Sequence, residues 1–368
     1  MNSWTYAGPK TGKREMVFNI ANMTIGVGIL TFPRTLAKNT LSIDGWISIL
    51  IGGLSSFLIA WLIAKLAARF PKETFPDYIG RIATKPVAYV VTFSIIVYFI
   101  SFVAHEVRAL GNIATQYLFS TTPVEVITLV FLLVTQYAVL GSRTALLRLN
   151  LLFLPIVLLV ILIVQGFTIR LVELDNLQPL FTSNWKDIFT GAKDVSLSFT
   201  GFEILLFYSM FMKKPADAPK AAIIGLLVPL VLYLMIYTLT IGVFSADVTK
   251  NLTYPTIELT KEVEVPGGIF ERVESLFFTI WIMTIFNSTA MYLDVALLSL
   301  HSLFKRVRKI TFVLIVSPVI YFLSMLPQNL VDFFKFGDRL TYFGFLVVYA
   351  CPIAMLLIAI MRGVKGNE

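Results

Sequence analysis

The chain has 368 residues, of which 57% are hydrophobic and only 14% charged, with a formal net charge of +8. A mean hydropathy of +0.82 excludes the soluble globular classes and places the chain among polytopic membrane proteins. The single cysteine, Cys351, excludes an intrachain disulfide framework.

Ten apolar segments follow one another, at about 14–37, 45–68, 86–118, 123–140, 145–169, 186–212, 219–245, 269–304, 309–326 and 338–361. The first 13 residues are polar, and the first segment carries its own interruption, which is not the pattern of a cleavable signal peptide. Segment one is long enough to cross a bilayer, for which about 20 residues are needed. Its centre reads Asn22-Met23-Thr24-Ile25-Gly26-Val27-Gly28, and Gly weakens a helix by about 1 kcal/mol relative to Ala. A broken helix at membrane depth is tolerated only where its freed backbone groups face protein or a water-filled cavity. The half-helix after the break offers N–H groups and a partial positive charge. Close packing of small residues is the alternative reading of the same glycines.

Segment three carries Tyr98, Ser101, His105, Glu106, Arg108 and Asn112. An ionisable residue in a membrane span marks function by default. Glu106 and Arg108 stand two apart, so they do not face each other along a helix and each needs its own partner. His105-Glu106 begins an H-E-x-x-H pattern, but position 109 is Ala, so the zinc-protease reading fails.

Segment six gathers Ser196, Ser198, Thr200 and Gly201 before Glu203, about 175 residues after the first break. Ten spans divided five and five put a break in the first helix of each half. That placement points to inverted repeats with a midplane site between two discontinuous helices. No residue-level identity between the halves supports the repeat. Glu203 has three open roles: proton carrier, partner of Arg108, or ligand of a helix terminus.

Between segments seven and eight lies an acidic connection in which Pro255 is suited to open a short helix and Pro266-Gly267-Gly268 to end it. Segment eight, about 36 residues or roughly 54 Å of helix, holds Asn287-Ser288-Thr289, Tyr292 and Asp294. Lining a site and bonding to a neighbouring helix account equally well for that triplet. Counted on alternate sides, nineteen Lys and Arg fall on the side of the N-terminus and nine on the other, while Arg108 and Lys193 lie within segments. The asymmetry places both termini in the cytoplasm and explains the basic charge without nucleic acid. Lys213-Lys214 and Lys305 to Lys309 stand at the level of anionic head groups, and read first as solvated topology signals. No G-x-S-x-G, Walker loop or Cys/His cluster is present, which speaks against an enzyme, a cofactor or a metal.

Gly26-Val27-Gly28-Ile29-Leu30-Thr31-Phe32-Pro33-Arg34 resembles the opening of the B subunits of Ger-type spore germinant receptors. Phe199-Thr200-Gly201-Phe202-Glu203-Ile204 is similar to a second signature of that family. Tyr254-Pro255-Thr256-Ile257, Val265-Pro266-Gly267, Glu271-Arg272 and Pro327 complete the likeness. The glycine motif is shared with amino-acid permeases; the other runs are more specific. The resemblance implies an all-α membrane protein of the amino-acid–polyamine–organocation transporter superfamily. It would have ten helices in a 5+5 inverted repeat, with helices 1 and 6 discontinuous. Residues 1–13 and 363–368 would be cytoplasmic tails, and the repeats would span about 14–169 and 184–362. Such a subunit sits in the spore inner membrane, works with A and C subunits, and senses a small nutrient, often an amino acid. The ligand site implied comprises Thr24, Ile25, Gly26, Val27, Gly28, Tyr98, Phe102, Ser198, Phe199, Thr200, Gly201, Phe202, Asn287, Ser288 and Thr289. N–H groups at Gly26 to Gly28 would hold a ligand carboxylate, and carbonyls at Asn22-Met23 and Ser198-Phe199 an ammonium. Glu106, Arg108, Glu203 and Asp294 are candidates for proton transfer or ion pairing. A proton-coupled amino-acid transporter of the same fold is the alternative function.

Overall fold

The computed structural model describes residues 11–263 and 273–366. Pro266-Gly267-Gly268 and the Val265…Arg272 part of the family likeness lie outside the described residues, as does most of the N-terminal tail. In chain order the helices are α1 (Lys13–Thr24), α2 (Gly28–Thr40), α3 (Gly45–Ala68), α4 (Phe75–Ile82), α5 (Lys85–Tyr117), α6 (Val124–Leu140), α7 (Arg143–Thr168), α8 (Trp185–Ser198), α9 (Leu205–Tyr208), α10 (Ala218–Thr249), α11 (Pro255–Lys261), α12 (Val273–Leu303), α13 (Lys309–Met325), α14 (Leu330–Gly344) and α15 (Cys351–Met361). A π-helical turn, Phe345–Ala350, joins the last two.

Among the described residues, six helices are long and apolar enough to cross a membrane, and the bent pair α1 and α2 makes a seventh span. Three more apolar stretches, Val124–Leu140, Phe202–Phe211 and Lys309–Met325, are shorter. Each falls within one of the ten expected segments, so the order is as expected while three pieces fall short of a full span. The last span begins at Leu330, eight residues before the expected start, which brings Lys335 into a helix instead of a loop.

Both expected breaks are present. α1 and α2 meet at 53° across Ile25–Val27. The second break follows α8, where Gly201 takes a φ of +127° before the 3-10 turn Phe202–Ile204. L side chains rarely adopt that φ. A Cβ on Gly201 would also lie 2.8 Å from the Met23 carbonyl carbon, so the two breaks touch. α4 is unforeseen, although Phe75, Tyr78, Ile79 and Ile82 have the i, i+3, i+4, i+7 spacing of an amphipathic helix. All four are buried, and Tyr78 Oη donates to Leu206 O at 3.1 Å, tying α4 under α9.

Outside the spans, Pro255 does open a short helix, α11, and Thr256 Oγ1 donates to Ile29 O on α2 at 2.7 Å. Asp44, just before α3, accepts from the N–H groups of Phe181, Thr182 and Ser183 at 2.7, 2.8 and 2.9 Å. One buried carboxylate thereby anchors the connection between the two expected halves.

Candidate functional site

Each break is stabilised by a carboxylate of the chain itself. Glu106 of α5 lies against the first: a methyl on Gly26 would sit 3.6 Å from Glu106 Oε1, and the Val27 N–H is within its bonding reach. Ser288 Oγ of α12 donates to Glu106 Oε2 at 3.3 Å. At the second break, the Gly201 N–H donates to Glu203 Oε2 at 2.6 Å. The first N–H groups of a helix have no partner within it, and carboxylates suit their positive end.

Tyr233 of α10 joins the two breaks. Its hydroxyl is 2.9 Å from Thr24 O and 2.8 Å from Ser198 O. A phenol carries one proton, so Tyr233 donates to one carbonyl at a time. Its ring packs on Phe32 at 4.7 Å and on Phe199 at 4.8 Å between centroids, one from each broken span.

A cavity of about 740 Å³ reaches both breaks, within the usual size range of small-molecule sites. Of the residues expected in the site, Thr24, Gly26, Val27, Gly28, Tyr98, Phe102, Glu106, Ser198 and Thr200 line it. Tyr98, Phe102 and Glu106 recur at helical spacing, which puts them on one face of α5 with His105. Arg108 lies on the far side of that helix, where its Nη1 donates to Met325 Sδ at 3.6 Å; it is not the partner of Glu203.

The remaining expected residues stand behind the wall. Ile25 is fully buried, Phe199 rests on Tyr233, and Phe202 packs on Tyr349 at 5.9 Å. Gly201 makes the turn. Ser288 supports Glu106, Thr289 Oγ1 donates to Ile285 O at 2.7 Å, and the buried Asn287 amide has no hydrogen-bond partner among the described residues. Asp294 is remote from the cavity, in an ion cluster with Arg143 and Lys309. Lys309 is therefore buried in an ion pair, not turned to lipid head groups.

Two walls were not anticipated. One is α8 before its break, where Thr190, Lys193, Asp194 and Leu197 form a stripe. The other is α14, which contributes Phe333, Phe334, Lys335, Gly337, Asp338, Leu340, Thr341 and Gly344. A Cβ on Gly337 would lie 2.9 Å from His105 Nε2, and one on Gly344 2.8 Å from the Tyr98 ring. These glycines let α14 close on α5, and their seven-residue spacing among polar residues was the available signal. Phe333 stacks on His105 at 4.5 Å. Away from the breaks the cavity passes Arg34, Lys38, Lys193, Asp194, Lys335 and Asp338, so its walls are apolar at mid-depth and charged towards one end.

The profile of the family described as "Spore germination protein" matches residues 11–333. The chain is 40% identical to spore germination protein GerLB of Bacillus cereus, over 100% of this chain and 99% of that protein. It is 34% identical to spore germination protein YndE of Bacillus subtilis, over 93% and 94% of the two chains. Among solved structures it is similar to MhsT in complex with L-phenylalanine, with a TM-score of 0.70 at 14% identity, covering 98% of this chain and 91% of that one. It is also similar to Mhp1, a nucleobase-cation-symport-1 family transporter, with a TM-score of 0.65 at 15% identity, covering 93% and 77%. At such identities the likeness establishes the fold alone. Fold, breaks and sequence likeness over the whole chain agree: this membrane protein belongs to the spore germination protein family, with the B subunits of Ger-type germinant receptors.

Proposed function

We propose that this chain is the ligand-binding membrane subunit of a nutrient germinant receptor, acting with A and C subunits in the spore inner membrane with both termini cytoplasmic. The observation that carries this reading is the cavity reaching both broken helices, lined at that end by the buried Glu106 and by Thr24 and Ser198, whose carbonyls meet the Tyr233 hydroxyl. A small ammonium compound, such as an amino acid, fits that end: Glu106 and the carbonyls of Thr24 and Ser198 accept hydrogen bonds there. Tyr98, Phe102 and Leu197 supply apolar contact. One methylene changes discrimination in such a pocket by only about 1–3 kcal/mol, so close analogues compete.

Signalling requires that the ligand prefer one packing of the broken helices over another. Tyr233 offers the means. A ligand N–H group that takes Thr24 O or Ser198 O biases the single phenolic proton towards the other carbonyl, and so changes how the two breaks are tied.

A second reading, proton-coupled amino-acid transport, is favoured by the transporter fold and by the two buried carboxylates at the breaks, Glu106 and Glu203.

The test is equilibrium binding of the twenty standard L-amino acids to the purified chain, wild type beside Gly26→Trp. Saturable binding that the folded mutant lacks is expected. A folded wild type that binds none of them overturns the reading. Uptake of a bound amino acid into liposomes by this chain alone would favour transport over sensing.

A further inference from the structure

Arg108 is a buried cation that the ligand cavity does not use. It is 7% exposed, and its one hydrogen bond goes to the thioether of Met325 at 3.6 Å, a weak acceptor. Its buried Nε has no partner, and it forms no ion pair among the described residues. A buried charge is costly unless it is paired. The C-terminal end of α13 beside it supplies only about half an elementary charge.

Two more donors share its face. Asn112 and Thr115 follow Arg108 at spacings of four and three, which puts all three on one side of α5. Asn112 Nδ2 and Thr115 Oγ1 are buried and have no partner among the described residues. Nε and Nδ2 can only donate, and a hydroxyl can donate, so the stripe suits a guest that accepts.

The stripe reaches the level of lipid head groups. α6 and α13 each have 17 residues, about 25 Å of helix, against about 30 Å of hydrocarbon. Tyr321 Oη donates to Glu125 O at 3.3 Å, which ties α13 to the first turn of α6. A Cβ on Gly111 would meet Val124, the first residue of α6, and Met325 is the last residue of α13. Arg108 is therefore level with the ends of both short helices, on the side away from the N-terminus. A bilayer thins beside short spans, which brings head groups to that level. Leu129 and Leu133 of α6 and Phe322 and Leu326 at the end of α13 are exposed, so this flank is turned to lipid.

Glu125 stands exposed in the first turn of α6. Its charge acts on Arg108 without an ion pair between them. A head group that brings an anion to Arg108 and an ammonium to Glu125 complements both. We infer that Arg108, Asn112 and Glu125 bind one phosphoethanolamine head group of a membrane lipid, its phosphate on the guanidinium and its ammonium on the carboxylate. Guanidinium and phosphate pair through two parallel hydrogen bonds. Phosphatidylglycerol lacks the cation, and the quaternary nitrogen of phosphatidylcholine has no N–H to donate.

The test is native mass spectrometry of the purified full chain with added phosphatidylethanolamine, phosphatidylglycerol or free phosphorylethanolamine. Wild type is expected to hold one phosphatidylethanolamine at least tenfold more tightly than the other two. Arg108→Gln should lose that lipid, and Glu125→Gln should hold it no better than phosphatidylglycerol. Glu125 is exposed, so its variant carries the test if Arg108→Gln does not fold. Retention of phosphatidylethanolamine undiminished in either variant overturns the inference. So does a wild type that holds phosphatidylglycerol equally well, because Glu125 then plays no part. Free phosphorylethanolamine held as tightly as the lipid would show a site for a soluble phosphate compound and overturn the assignment to lipid.

Discussion

Asp294 Oδ2 lies 2.5 Å from Arg143 Nε, and Oδ1 lies 3.2 Å from Arg143 Nη2. Lys309 Nζ stands 3.3 Å from Oδ1 and Tyr208 Oη 2.9 Å from Oδ2. Four elements, α7, α9, α12 and the start of α13, thus meet on one fully buried carboxylate. Breaking a buried pair costs about 3–5 kcal/mol, because the remaining charge is left unpaired. Asp294→Leu, which leaves both buried cations without a counter-charge, is expected to lose about that much in denaturant or thermal unfolding in detergent, and Arg143→Ala less, because Lys309 still pairs with Asp294. Removing all three charges together, as Arg143→Met, Asp294→Leu and Lys309→Met, should lose less than Asp294→Leu alone. An Asp294→Leu protein as stable as wild type would show that the cluster does not hold these helices.

The two break glycines differ in what they tolerate. Gly201 has a φ of +127° and a Cβ there would meet Met23 at 2.8 Å, whereas a Cβ on Gly26 would meet Glu106 at an ordinary 3.6 Å. Backbone strain of the first kind costs on the order of 1–3 kcal/mol before the clash is counted. Gly201→Ala should lower the melting temperature markedly and Gly26→Ala only slightly. Equal effects would contradict the geometry.

Stability should depend on pH through Asp44. Burial opposes its charge, but the N–H groups of Ser183 and Phe181 outweigh burial and hold the carboxyl below the usual carboxylate range. A depressed folded value means the stabilisation is complete above the unfolded pKa of about 4 and is lost as pH falls through the lower folded value. Asp44→Asn should cost about 1–3 kcal/mol near neutrality, and the gap to wild type should close below about pH 4. Melting curves at stepped pH measure it; a gap that stays constant down to pH 2 would count against Asp44 as the titrating group.

Thr256 fastens the short helix α11 to the carbonyl of Ile29. Thr256→Val is expected to cost about 1 kcal/mol and to speed amide hydrogen exchange in 255–261, while Thr256→Ser restores both. Unchanged exchange in the valine variant would mean that α11 is held by packing alone.

Spans and breaks were legible because they rest on local chemistry: runs of apolar residues, and Gly, Ser and Thr where such runs should be most regular. The face of α5 that carries Tyr98, Phe102 and Glu106 follows from helical spacing. The wall made by α14 did not, because Lys335 reads as a loop and Asp338 and Arg339 stand at the very edge of the apolar segment. Only when Gly337 and Gly344 are packed against His105 and Tyr98 does that stretch become part of the cavity. The Asn287–Thr289 triplet had two equal readings, and its backing role is a matter of helix rotation, which composition does not encode.

By itself, the sequence determined a helical membrane chain, two interrupted helices and membership of the spore germination protein family. The tertiary structure decided which charge meets which: Glu106 against the first break, Glu203 against the second, Arg143 and Lys309 on Asp294, and Arg34 with no carboxylate among the described residues. The physical reason is that periodicity fixes which side chains share a face of one helix. What each face meets depends on how the helices cross, and that is set by contacts between residues far apart in the chain.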